Sequence, residues 1–269
     1  MSDSSSRRIT IRTLQDMKAA GERIVTLTVY DASLAKLLEE AGVDVLLVGD
    51  SLGNVIQGRE STLGVTLDDM IYHGACVARA GRRALRVIDM PFMSYRSVDQ
   101  ALYSAGRLMA EGGAHVVKLE GGAILLDTVR ALTERGIPVC GHLGLLPQSV
   151  NQLGGYRVQA KDAASAARLL DEAVALEEAG ASLLVLECIP AALAAKVSQT
   201  LRIPVIGIGA GPGCDGQVLV LYDMLGITPG KRPAFALDFL AGASGVADAV
   251  TRYAQAVRAG TFPKSEQSF

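Results

Sequence analysis

A single (β/α)8 barrel of the TIM type is the fold this sequence predicts, on three observations. Short, nearly continuous aliphatic runs alternate with alanine-rich amphipathic stretches from about residue 24 onward, as parallel strands with helical crossovers require. The chain has 269 residues, close to the ~250 of one such barrel. No GxGxxG follows the first strand, which weighs against the competing open, doubly wound sheet.

The elements follow in order. Residues 1–8 are polar and serine-rich and read as a short disordered tail, leaving 9–269 as the barrel and catalytic domain. The stretch up to 23 contains ITIRTLQDMKAAG, a helix expected to cap the barrel's N-terminal end. Strands are expected at 24–30 (IVTLTVY), 43–49 (VDVLLVG), 85–90 (LRVIDM), 115–120 (HVVKLE), 137–143 (IPVCGHL), 183–189 (LLVLECI) and 203–208 (IPVIGI), with an eighth at 218–221 (VLVL). Helical spacing of apolar residues covers 31–41, 68–80, 97–111, 123–135, 161–179 and 190–200, and a last helix falls near 244–260. Gly42, Gly81, Gly113, Gly136 and Gly180 each close a helical stretch, as a left-handed C-cap prefers.

Composition narrows the function. Hydrophobic residues are 49%, charged residues 20% and aromatics 4%, with no Trp, so the core is large and aliphatic. A net charge of -2 without a long basic run argues against a nucleic-acid partner. Four widely spaced cysteines with no CxxC point to buried free thiols in a reducing compartment and away from zinc. The N-terminus lacks the apolar core of a signal peptide, and no segment is long and apolar enough to span a bilayer. A cytoplasmic enzyme without a membrane partner is the expectation.

In such a barrel the reactive groups stand at the C-terminal ends of the strands. Strand two ends in Asp50-Ser51 and strand three in Asp89. Strand four carries Lys118 and Glu120, strand five His142, and strand six ends in Glu187. Lys118 and Glu120 are two apart, so they share the lumenal face. Each has an ordinary structural reading: Asp50 or Asp89 as a cap, Lys118 with Glu120 as a buried ion pair, His142 as a hydrogen-bonded core histidine. Four acids and a lysine at one rim are hard to explain that way together, because buried charges are costly unless paired or metal-bound. The oxygen donors of Asp50, Asp89 and Glu120 suit Mg²⁺ or Mn²⁺ over Zn²⁺. The glycine-rich GIGAGPGCDGQ at 207–217 either presents N–H groups to a phosphate or lets the backbone approach a neighbour closely.

The ordered motifs VTLTVYDA, VGDSLGNVIQG, DMPFMSY, VVKLEGG, GHLGLLPQS, VLECIP, GIGAGPGCDGQVLVLYDMLG and FPKSEQSF resemble the ketopantoate hydroxymethyltransferase family over nearly the whole chain beyond residue 8. The resemblance implies hydroxymethyl transfer from 5,10-methylenetetrahydrofolate to 3-methyl-2-oxobutanoate through a Mg²⁺-stabilised enolate. That reaction yields ketopantoate and tetrahydrofolate, the first committed step toward pantothenate and coenzyme A. It assigns one Mg²⁺ per subunit to Asp50, Asp89 and Glu120. Keto-acid contacts fall to Asp50, Ser51, Asp89 and Lys118, with His142 lining the same pocket, and Glu187 becomes the catalytic base. It also implies a homo-oligomer, a decamer. One departure is Tyr222, where the family pattern has histidine. No folate motif is recognisable in the chain.

Two other enzyme classes compete. Lys118 as a Schiff-base nucleophile conflicts with the carboxylates that would keep it protonated. A metal-dependent lyase of the phosphoenolpyruvate mutase and isocitrate lyase group would carry a KKCGH-type loop, which this sequence lacks. A non-catalytic metal-storing barrel is the remaining alternative, and Glu187→Gln separates it from the enzymes.

Overall fold

Eight parallel strands close into one barrel, in sequence order, in the computed structural model, which describes residues 8–228 and 230–269. All of the expected N-terminal tail except Arg8 lies outside the described residues. The strands are β1 (Ile24–Thr28), β2 (Val45–Val48), β3 (Leu85–Asp89), β4 (Val116–Glu120), β5 (Val139–Gly144), β6 (Leu183–Glu187), β7 (Val205–Ile208) and β8 (Gly216–Leu219). Their continuous aliphatic character is explained by burial on both faces: outward residues meet helices and inward ones fill the lumen. Thr26, Val45, Val87, Cys140, Val185 and Lys118 line one small interior void of about 20 Å³. Lys118 therefore points into the lumen, as its spacing predicted.

The helices are α1 (Ile11–Ala20), α2 (Ala32–Glu40), α3 (Leu52–Val55), α4 (Leu67–Ala80), α5 (Val98–Ala110), α6 (Leu126–Thr133), α7 (Val150–Leu153), α8 (Ala163–Glu178), α9 (Ala191–Thr200), α10 (Leu221–Met224) and α11 (Val246–Arg258). Side chains of Asp31, Thr66, Ser97 and Asp162 accept a backbone N–H in the first turn of α2, α4, α5 and α8, satisfying donors that the helix leaves free. In α11, buried Tyr253 donates its hydroxyl to the carbonyls of Thr26 and Gln217, each at 3.0 Å, pinning the helix across β1 and β8.

The capping role of α1 is observed. Leu14 is fully buried, and Lys18 Nζ reaches the carbonyls of Ser198 (2.8 Å) and Ile203 (2.9 Å) just ahead of β7.

Two expectations shift. The eighth strand lies two residues earlier than 218–221, because Gly216 pairs with Ile24 and Gln217 with Val25. Gly216 reads as loop in the sequence, yet a Cβ there would run into the Ile24 carbonyl, so glycine is what lets β8 close on β1. Gly81 is the second: unlike Gly42, Gly113, Gly136 and Gly180 it is extended (φ -77°), and it packs against Leu46.

Candidate active site

The register of neighbouring strands decides which side chains meet at the C-terminal rim. Asp89 pairs with Lys118, Glu120 with His142, and Gly144 with Glu187. The result is a connected array running in strand order. The Asp50 N–H donates to Asp89 Oδ2 (3.0 Å), and Lys118 Nζ donates to Asp89 Oδ1 (2.8 Å) while standing 4.0 Å from Glu120 Oε1. His142 Nδ1 is 3.3 Å from Glu120 Oε1, and its Nε2 is 3.2 Å from Glu187 Oε2. The Nε2 approach is short but misaligned, which leaves that buried nitrogen without a proper hydrogen bond. Ser51 Oγ bonds the Tyr30 hydroxyl at 2.9 Å, and that hydroxyl donates to Thr28 Oγ1 at 2.9 Å. All seven residues singled out by their strand-end positions line one cavity.

Two further residues organise this rim. Gln148, buried in the segment after β5, donates Nε2 to Asp50 Oδ2 and to the Met90 carbonyl, both at 2.9 Å. Its backbone N–H donates to Glu120 Oε2 at 3.0 Å. Tyr95 donates its hydroxyl to Gln148 Oε1. A search for costly charges passes over a neutral amide, but its placement in the PQS of GHLGLLPQS, directly after a rim strand, was the available signal.

The electrostatics set the roles apart. Burial alone would drive Lys118 toward its neutral form, but Asp89, Glu120 and Asp50 overcome this and hold it protonated. Burial, reinforced by Asp89 and Glu120, pushes the Asp50 carboxyl well up. Burial would raise Glu120 too, yet His142, Lys118 and the Gln148 N–H keep it below the usual range. Burial and Lys118 oppose a charge on His142, and the flanking Glu120 and Glu187 outweigh them and lift it to about 9. Glu187 is only partly buried. Its side chain is 14% exposed, against 2% for Glu120, so it is the carboxylate that opens most to the cavity.

The donor set fits a hard divalent ion. Asp50 and Asp89 adjoin, both offer oxygens, and Asp50 is the group whose unfavourable charge a cation would relieve. Among the described residues no three Asp, Glu, His or Cys side chains converge tightly enough to cage an ion. Glu120 is drawn aside, between His142 and the Gln148 N–H. Mg²⁺ commonly takes one or two carboxylates and completes its octahedron with water and substrate, so the two adjoining aspartates suffice for this fit.

The cavity above the rim is about 600 Å³. Of the glycine-rich segment only Ile208 lines its wall; residues 209–217 do not. A Cβ on Gly211 or Gly213 would strike Ala191 or Ala195 of α9. Close backbone approach, the second of the two readings, is what these glycines serve. Tyr222 is half-buried against Tyr30, with ring centroids 6.0 Å apart, and does not line the cavity.

Comparison with known proteins shows the family and the fold. The family model for ketopantoate hydroxymethyltransferase matches residues 8–265. The 3-methyl-2-oxobutanoate hydroxymethyltransferase of Nitrosococcus oceani is 58% identical over 262 residues, covering 97% of this chain and 99% of that protein. The protein of the same description from Methylobacillus flagellatus is 59% identical over 257 residues, 96% of this chain and 98% of its own. Among solved structures, a phosphonopyruvate hydrolase complex with oxalate and Mg²⁺ superposes with a TM-score of 0.60 at 13% identity, over 79% of this chain and 80% of that one. A 2,3-dimethylmalate lyase of the PEP mutase/isocitrate lyase superfamily gives 0.57 at 19%, over 78% and 80%. At such identities the likeness shows the barrel alone.

Proposed function

Since the chain belongs to the ketopantoate hydroxymethyltransferase family, we propose that it transfers a hydroxymethyl group from 5,10-methylenetetrahydrofolate to 3-methyl-2-oxobutanoate. The observation that carries this reading is the division of the rim carboxylates. Asp50 and Asp89 cluster with Lys118, while Glu187 stands apart beside His142 and faces the cavity.

Asp50 and Asp89, with Glu120 beside them, would hold Mg²⁺, which would supply Lewis-acid polarisation of the keto acid. Protonated Lys118 balances the substrate's negative charge, and Ser51 offers a hydroxyl at the same end. Glu187 takes the C3 proton; a positioned base of this kind contributes roughly 10²–10⁴-fold. His142 stands beside that base on its Nε2 side while its Nδ1 side holds Glu120. Water cleaves both carbon–nitrogen bonds of the methylene bridge, leaving N5 and N10 each with a proton and the carbon at the aldehyde level. The enolate carbon adds to that carbon, and its oxygen takes up the proton held by Glu187 to become the hydroxyl. Ketopantoate and tetrahydrofolate leave.

Proton exchange at C3 of 3-methyl-2-oxobutanoate, measured without folate, tests the first half directly. Exchange should require both Mg²⁺ and Glu187; exchange that persists without metal refutes the reading. The Schiff-base alternative is disfavoured by the carboxylates that keep Lys118 protonated, and borohydride with substrate should leave no adduct there.

We place the enzyme in the cytoplasm as a homodecamer. Supporting this, no helix among the described residues is long and apolar enough to cross a membrane, and Tyr72, Tyr103 and Ile124 present apolar surface on the outer ring at 65%, 62% and 89% exposure. Light scattering checks the assembly size.

A further inference from the structure

The cavity is too large for its small keto acid. A space of about 600 Å³ is the size that takes a drug-sized molecule, and its two ends differ in charge. On the floor, Asp50, Asp89, Glu120 and Glu187 outnumber Lys118 and His142. At the mouth stand three exposed cations: Arg157, from the segment after β5, and Lys231 and Arg232, from the segment after β8. Among the described residues Arg157 and Lys231 are in no ion pair, and Arg232 keeps a half-exposed one with Asp238 at 3.4 Å. Glu60 also lines the mouth, from the segment after β2. In the ring of eight strands β2 stands three places from β5 and two from β8, so Glu60 adjoins neither cation-bearing segment, and Asp223, the other carboxylate of the wall, is buried.

Between floor and mouth the wall is aromatic. Tyr156 is 58% exposed and Phe269 44%, and Phe235 lines the cavity with them. Rings left open to water in this way are faces on which a flat ligand stacks.

These features match one molecule end to end. In 5,10-methylenetetrahydrofolate the reacting carbon lies on the bicyclic ring, and the carboxylates lie at the far end of an aminobenzoyl-glutamate tail. If the methylene meets the keto acid on the floor, the ring system lies along the aromatic wall and the carboxylates project toward the mouth. We infer that Arg157, Lys231 and Arg232 form the subsite for the glutamate end of the folate carrier. This inference rests on the proposed function. The reverse orientation would set the folate carboxylates against four acids, which like-charge repulsion forbids.

Binding and half-reaction assays separate the two claims. Affinities of the Mg²⁺-loaded enzyme would be measured by calorimetry for tetrahydropteroate, which lacks glutamate, for tetrahydrofolate, and for its triglutamate. Wild-type affinity should rise along that series. Arg157→Ala with Lys231→Ala should weaken tetrahydrofolate about tenfold, the effect of losing charge-assisted contacts at a partly exposed site, and leave tetrahydropteroate unchanged. The loss should fade at high salt. Arg168→Ala, an exposed cation on the outer helix α8, removes charge without touching the mouth and should change none of these affinities. Folate-free C3 exchange should stay within about twofold in the double variant, since the floor is intact. Equal wild-type affinities for the three ligands, or an unchanged double variant, overturn the subsite while leaving the C3 exchange, and so the proposed function, standing. Absence of exchange in the wild type overturns both.

Discussion

At the N-terminal end of the barrel, Lys18 donates to the carbonyls of Ser198 and Ile203 and to Asp215 Oδ2, at 2.8, 2.9 and 2.8 Å. Nearby, Asp44 accepts the Val25 N–H at 3.0 Å and pairs with Arg258 at 3.2 Å. Both of these charges are matched. At the C-terminal end four carboxylates gather round Lys118 and His142, Asp50 is pushed toward its neutral form, and His142 Nε2 lacks an aligned partner. One scaffold thus buries ions at both ends and satisfies them at only one. The balanced end closes the barrel; the unbalanced end is short of positive charge and of hydrogen bonds, which are what an ion and a substrate bring.

That contrast can be broken by experiment. The largest effect is expected from Glu187→Gln, which should lower kcat and C3 exchange about 10³-fold while the melting temperature barely moves; retention of even a tenth of the exchange rate would remove Glu187 from its role. Lys118→Met takes the ammonium from among three acids, and denaturant unfolding should show a loss of roughly 3 kcal/mol together with lost turnover. Mg²⁺ at about a hundredfold over its Kd should stabilise the wild type by ~2.7 kcal/mol. Asp50→Asn should erase that gain, whereas Lys18→Met should keep it. Lys18→Met itself should cost about 2 kcal/mol of stability through its lost charge-assisted hydrogen bonds and leave kcat intact, so a kcat loss there would erase the distinction between the ends. Tyr222→His is the smallest change, within about 0.5 kcal/mol and without effect on either substrate's KM, since the ring packs outside the cavity.

What the sequence made legible follows from where physics acts locally. Strand runs buried on both faces, such as VVKLE, leave an unbroken aliphatic trace, and a charge inside them is conspicuous. Lys118, Glu120 and His142 were legible for that reason. The eighth strand was displaced because Gly216 looks like loop while serving a contact with Ile24, a fact of pairing between distant segments. Gln148 was invisible for a related reason. Its importance lies in three partners contributed by β2, β3 and β4 or the turns directly after them, and nothing in a neutral amide announces such partners. The partners of Glu120 were equally hidden, since only the fold shows it drawn toward His142 and the Gln148 N–H.

Gln148 also joins the floor of the cavity to the segment that reaches its mouth. Its amide occupies Asp50 Oδ2 while its backbone holds Glu120, and the same segment leads on to Tyr156 and Arg157. An ion bound through the Asp50 oxygen would compete with one of the anchors of that segment. Any coupling that resulted would be reciprocal: what the ion did to affinity at the mouth, occupancy of the mouth would do in equal measure to the ion.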